Sequence, residues 1–128
     1  MKALIVDDSR AMRLVLRQIL SGIGFDIAEA RHGREALTYL QSHVDTDVAL
    51  VDWNMPEMNG LELVQAVRSD ARLNDLRMMM VTTETEVAHI ERALLAGANE
   101  YVMKPFSREI IEEKLRLLGV YNAAVHAA

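Results

Sequence analysis

The chain has 128 residues, 51% hydrophobic and 26% charged, which suits one globular domain with a real core and excludes disordered or collagen-like classes. It has no cysteine, which excludes a disulfide framework, a thiolate metal site and a cysteine nucleophile, and its net charge of -5 argues against nucleic acid as the main partner. No apolar run approaches the roughly 18 residues of a membrane span, and Met1-Lys2-Ala3-Leu4-Ile5-Val6-Asp7-Asp8 meets two acids too early for a signal peptide, so a cytoplasmic protein with no membrane partner is expected.

The first apolar run, Ala3 to Val6, predicts a strand. Met12, Val15, Leu16, Ile19, Leu20 and Ile23 then recur at helical spacing, with Ser9 as the N-cap and Gly22 and Gly24 as stop signals. Phe25 to Ala28 alternates apolar and polar, as an edge strand does, and Leu37, Leu40 and Val44 form a weaker helical stripe. Val48 to Val51 predicts a third strand, Pro56 to Gly60 a loop, and Gly60, Leu63, Val64 and Val67 a third helix. Met78 to Val81 predicts a buried strand, with the methionines as core rather than metal ligands, and Trp53 is expected to cap the core. Val87, Ile90 and Leu94 mark a fourth helix closed at Gly97, Glu100 to Lys104 a fifth strand, and Ile111, Leu115 and Leu118 a last helix. The domain is expected over 1–119, with 120–128 as a tail or linker stub. The four histidines, at positions 32, 43, 89 and 126, show no metal-ligand spacing.

Five β-α pairs with continuous apolar strands predict an α/β fold: a parallel, doubly wound five-stranded sheet with helices on both faces. The most apolar strands belong in the middle, which gives the order 2-1-3-4-5. In such a sheet ligands bind outside the carboxyl ends of the strands. There the sequence places Asp7 and Asp8, Asp52, Thr82 and Lys104. Two carboxylates about 5 Å apart repel by roughly 3 kcal/mol at an effective dielectric of 20. Three together call for a cation. Lys104 supplies one charge, and an oxygen-only ligand set favours a hard divalent ion, Mg2+.

At Asp7-Asp8, Asp52-Trp53-Asn54-Met55-Pro56-Glu57-Met58-Asn59-Gly60, Val81-Thr82 and Lys104-Pro105-Phe106 the sequence resembles the receiver domains of two-component response regulators, and most of all their single-domain chemotaxis members, the CheY group. The family's flavodoxin-like fold has the same strand order, so that order is not an independent inference. The resemblance implies Asp52 as phosphoacceptor. It would take a phosphoryl group from a histidine kinase, a phosphotransfer protein or a small donor such as acetyl phosphate. Mg2+ would be held by Asp8, Asp52 and the backbone carbonyl of Asn54, with Asp7 acting through a water. Lys104, aimed into the pocket by a cis peptide bond to Pro105, would neutralise the phosphoryl oxygens, and the Thr82 hydroxyl would turn towards them.

Tyr101 would then rotate, altering a partner surface that includes Ile90 and Lys114. Asn54 and Glu84 match the two positions that set the lifetime of the phosphorylated state, and their side chains resemble those of fast-cycling members. Ser9 and the helix around Val87 to Leu94 depart from the chemotaxis pattern. The expected protein is a monomeric signalling switch that catalyses only its own phosphorylation and dephosphorylation. Its expected output is a protein target, with the flagellar motor switch as the chemotaxis candidate. Three alternative readings stand beside it. One is a receiver fragment of a longer regulator. A second, an aspartate-nucleophile phosphatase, would want an acid where Asn54 stands. The third, a flavin or nucleotide carrier, would have its phosphate repelled by Asp7-Asp8.

Overall fold

The computed structural model describes residues 1–121, and the expected tail from 122 onward lies outside the described residues. The strands are β1 Lys2–Val6, β2 Asp26–Ala30, β3 Val48–Val51, β4 Arg77–Thr82 and β5 Glu100–Met103. All pair in parallel in the order β2-β1-β3-β4-β5, as the burial pattern predicts. The helices are α1 Arg10–Ile23, α2 Gly33–Ser42, α3 Gly60–Arg68, α4 Val87–Ala96 and α5 Arg108–Leu117. None is long and apolar enough to cross a membrane among the described residues.

Alternate strand residues point to opposite faces, and each face is buried. Leu4, Val6, Ala49, Val51, Met78 and Met80 pack with Leu40, Leu63, Val64, Val67 and Ala93 of α2, α3 and α4. Ala3, Ile5, Val48, Leu50, Met79, Val81 and Val102 pack with Leu16, Leu20, Ile111 and Leu115 of α1 and α5. The three methionines are fully buried core, and Trp53 is 6% exposed against the first cluster, both as expected. Val120 packs into the second cluster, so ordered packing runs past residue 119.

Several local expectations need correction. Gly22 lies inside α1 and does not stop it; Gly24, at φ 106°, is the C-cap, and its amide donates to the carbonyls of Leu20 and Ser21. β2 runs on to Ala30, because its ladder follows β1 as far as Val6. Val44 lies beyond α2 and is exposed. In α4 the predicted stripe is not the buried face: Ala93 is its buried residue, and Val87 is 68% exposed.

At the amino-terminal edge of the sheet Arg68, the last residue of α3, ties four segments together. Its guanidinium donates to the carbonyls of Gly97, Leu73 and Leu76 and to Asn99 Oδ1 at 2.7–3.1 Å. Asn99 Oδ1 also accepts the Met78 amide at 2.8 Å. At the opposite edge Gly60 lets α3 start against the end of β3, since a Cβ there would sit 2.5 Å from the Asp52 carbonyl oxygen. A capping box between Asn59 and Glu62 fixes that start.

Candidate functional site

The first carboxylates arrive where β1 runs out. The Asp7 amide donates to the Ala30 carbonyl at 3.1 Å, and Arg13 donates to the Asp7 carbonyl at 2.7 Å, which holds the strand end in line. The Asp7 side chain is buried and held at both oxygens: Oδ1 accepts the Ser9 amide at 2.9 Å and Oδ2 accepts Lys104 Nζ at 2.8 Å. Asp8 is exposed. Asp52 follows β3, its amide donating to the Val6 carbonyl at 2.9 Å, so the acids of β1 and β3 lie side by side. Ligand oxygens of Asp7, Asp8 and Asp52 all fall within 4.8 Å of one another. Lys104 Nζ lies 3.6 Å from Asp52 Oδ2, and the Lys104-Pro105 bond is cis. The Lys104 amide donates to the Thr82 carbonyl at 3.0 Å, and Thr82 is fully buried.

Electrostatically the pocket is unfinished. Burial pushes the Asp52 carboxyl up from its ordinary value; Thr82 and Lys104 favour its anion, while Asp7 disfavours it. Asp52 Oδ1 is buried and has no hydrogen-bond partner. A native structure rarely leaves such an oxygen unpaired without a ligand to meet it. The donor set is oxygen-only, with no histidine or cysteine, and this fits a hard divalent cation.

The loop between β4 and α4 closes one side of this edge. The Glu84 amide donates to Thr82 Oγ1 at 3.3 Å, and the Tyr101 hydroxyl donates to the Glu84 carbonyl at 2.7 Å. Burial, then the Glu84 and Asp52 carboxylates, push the Tyr101 phenol up to about 12. The Glu84 side chain turns to the first turn of α4: Oε1 accepts the Glu86 amide at 3.0 Å and lies 3.2 Å from His89 Nδ1. The His89 ring stacks on Trp53, with centroids 5.0 Å apart and planes 12° from parallel.

Residues 3–116 match the model of the response regulator receiver domain. The chain belongs to that family. Among curated proteins, this receiver is 48% identical over 119 residues to chemotaxis protein CheY1 of Helicobacter pylori, covering 92% of this chain and 96% of that one. It is 45% identical over 116 residues to chemotaxis protein CheY of Pseudomonas aeruginosa, covering 90% and 93%. Among solved structures, chemotaxis response regulator CheY4 of Vibrio cholerae superimposes with a TM-score of 0.85 at 35% identity, covering 91% of this chain and 97% of that one. The chain is therefore a CheY-like response regulator receiver. Receivers are signalling switches rather than enzymes that turn over an external substrate, and they generally bind Mg2+ at an acidic pocket.

In this receiver the fold gathers Asp7, Asp8, Asp52 and Lys104 into one pocket, with Thr82 beside it. Tyr101 and Glu84 meet at its rim. Asn54 is exposed on the loop after Asp52, Ile90 is part-exposed on α4, and Lys114 lies 3.2 Å from Glu100. The sequence reading missed His89 and Glu86. Spacing of histidines alone holds no trace of a ring that reaches Trp53 across the sheet edge, although Glu84 to His89 spans about one turn at a helix start.

Proposed function

We propose that Asp52 is the phosphoacceptor of a Mg2+-dependent chemotaxis-type switch, with the receiver unit spanning residues 1–119. The observation that carries the reading is the buried Asp52 carboxylate, one oxygen unpaired, beside two further acids and a single lysine. The Asp52 oxygen would attack phosphorus while the bond to the donor, a phosphohistidine nitrogen or the acetate oxygen of acetyl phosphate, breaks. Asp8, Asp52 and the Asn54 carbonyl would hold Mg2+, with Asp7 acting through a water. The ion supplies positive charge against the phosphoryl oxygens.

Lys104 already sits 3.6 Å from Asp52 Oδ2, where its ammonium would meet the same oxygens. Thr82 is beside Asp52 and would move its hydroxyl to the phosphoryl group, releasing the Glu84 amide that it now accepts. Tyr101 is bonded to the same residue and would carry the change to Ile90, Lys114 and their surroundings. Asn54 and Glu84 would set the lifetime. The donor would be a histidine kinase or phosphotransfer protein, the target a protein such as the flagellar motor switch, and the setting a cytoplasmic monomer. In vitro the chain would catalyse only its own phosphorylation and dephosphorylation.

Trp53 fluorescence tests this. Mg2+ should give a saturable change, and acetyl phosphate or beryllofluoride a second, Mg2+-dependent change that Asp52→Asn abolishes. A folded chain that responds to neither ligand would sink the proposal.

A further inference from the structure

Four contacts fix the backbone of Glu84 and steer its side chain away from the pocket. Thr82 Oγ1 accepts its amide at 3.3 Å, and the Tyr101 hydroxyl donates to its carbonyl at 2.7 Å, so the main chain is clamped at the pocket rim. Oε1 accepts the Glu86 amide at 3.0 Å and faces His89 Nδ1 at 3.2 Å, so the carboxylate lies over the first turn of α4. The Glu84 carboxyl is lowered by the Glu86 amide, with burial opposing and His89 assisting. His89 is itself held: its ring lies flat on Trp53, the residue after Asp52, and its Nε2 is 3.6 Å from Glu86 Oε2. Nδ1 makes no aligned hydrogen bond, so its hold on Glu84 is a close polar contact at 3.2 Å rather than a directed bond.

Resting on the reading of Asp52 as phosphoacceptor, we propose that His89 is a positioning residue for hydrolysis of the acyl phosphate: stacked on Trp53, it parks the Glu84 carboxylate on α4 and keeps it from the incoming water. In that hydrolysis a water oxygen bonds to phosphorus, the bond from phosphorus to the Asp52 oxygen breaks, and Asp52 leaves as a carboxylate. The water proton passes to a nearby acceptor and then to solvent, and inorganic phosphate departs. A carboxylate free at the rim accepts that proton; one parked on α4 does not. His89 thus lengthens the life of the switched-on state by restraining a neighbour and never touches the phosphoryl group.

The test loads the full chain with labelled acetyl phosphate and Mg2+, removes the donor, and follows decay of the label. His89→Ala should speed decay about threefold, the size expected for losing one partly exposed polar contact. His89→Arg, which offers N–H donors to the carboxylate and can stack on the indole, should restore the native decay. In a Glu84→Gln background His89→Ala should change nothing, because the group it restrains is gone. A His89→Ala chain that decays at the native rate, or speeds up equally without Glu84, overturns the proposal. So does failure of His89→Arg to restore the rate in a chain whose circular dichroism is native. A native chain that takes up no label overturns the phosphoacceptor reading and this one together. A labelled chain whose decay ignores His89 overturns this one alone.

Discussion

At the amino-terminal edge of the sheet the Arg68 cation has three carbonyls and an amide oxygen around it, all neutral, all at 2.7–3.1 Å. At the carboxyl edge Asp7, Asp8 and Asp52 crowd one another, with Lys104 as their cation and one Asp52 oxygen left bare. Both edges place charge where water is scarce. The first meets it with four hydrogen bonds and so joins α3, β4 and the segments before β4 and β5. The second leaves it short of positive charge, a shortfall that the proposed cation and phosphoryl group would complete. One sheet can therefore be fastened at one end and held ready at the other.

Substitutions can break the contrast. Arg68→Ala should cost about 3 kcal/mol, because several part-buried acceptors lose a charged donor at once. That corresponds to a fall in Tm on the order of 10 °C, read by thermal denaturation, and Mg2+ should not recover it. At the other edge Lys104→Ala should cost about 2 kcal/mol without Mg2+, since Asp7 loses its 2.8 Å partner. Added Mg2+ should recover much of this, and metal titration should still saturate while output signalling fails. A Lys104→Ala chain that Mg2+ does not stabilise would mean that the two edges are alike.

Asp52→Asn should have the opposite sign and raise Tm in the absence of Mg2+, by about 2–4 °C for each kcal/mol of repulsion relieved. The pH dependence follows from the raised Asp52 carboxyl. Between its ordinary value and its raised one the folded chain binds more protons than the unfolded chain. Stability therefore falls as pH climbs through that window and stays lower above it. Denaturant titrations across the acid range should show this fall in the native chain and a weaker one in Asp52→Asn. The smallest effect sharpens the picture at the rim. Tyr101→Phe removes the 2.7 Å bond to the Glu84 carbonyl and should cost about 1 kcal/mol, with Mg2+ affinity unchanged.

Much of this was legible in the sequence, and for definite reasons. β1, β3 and β4 are buried on both faces, so Ala3 to Val6, Val48 to Val51 and Met78 to Val81 have no room for polar residues, and the acids that follow must sit at the strand mouths. Ser9 could be read as a cap because its side chain needs only the Met12 amide three residues on. What stayed hidden depends on distant partners. Arg68 looks like any charge ending a helix until Gly97 and Asn99 are brought beside it. His89 looks like a solvated helix residue until Trp53 slides under it. The α4 stripe misled because Val87 and Leu94 recur at helical spacing on a face that the sheet does not cover.

That thin seating of α4 sets an order of events. Ala93 is its buried residue, whereas Leu16, Ile19, Leu20 and Ile23 anchor α1. Amide hydrogens of α4 should therefore exchange with solvent well before those of α1, through local openings that leave the sheet intact. The helix beside the pocket rim is thus the one with the fewest buried anchors, so the proposed change in charge at Asp52 would redraw this flank while the rest of the molecule keeps its shape.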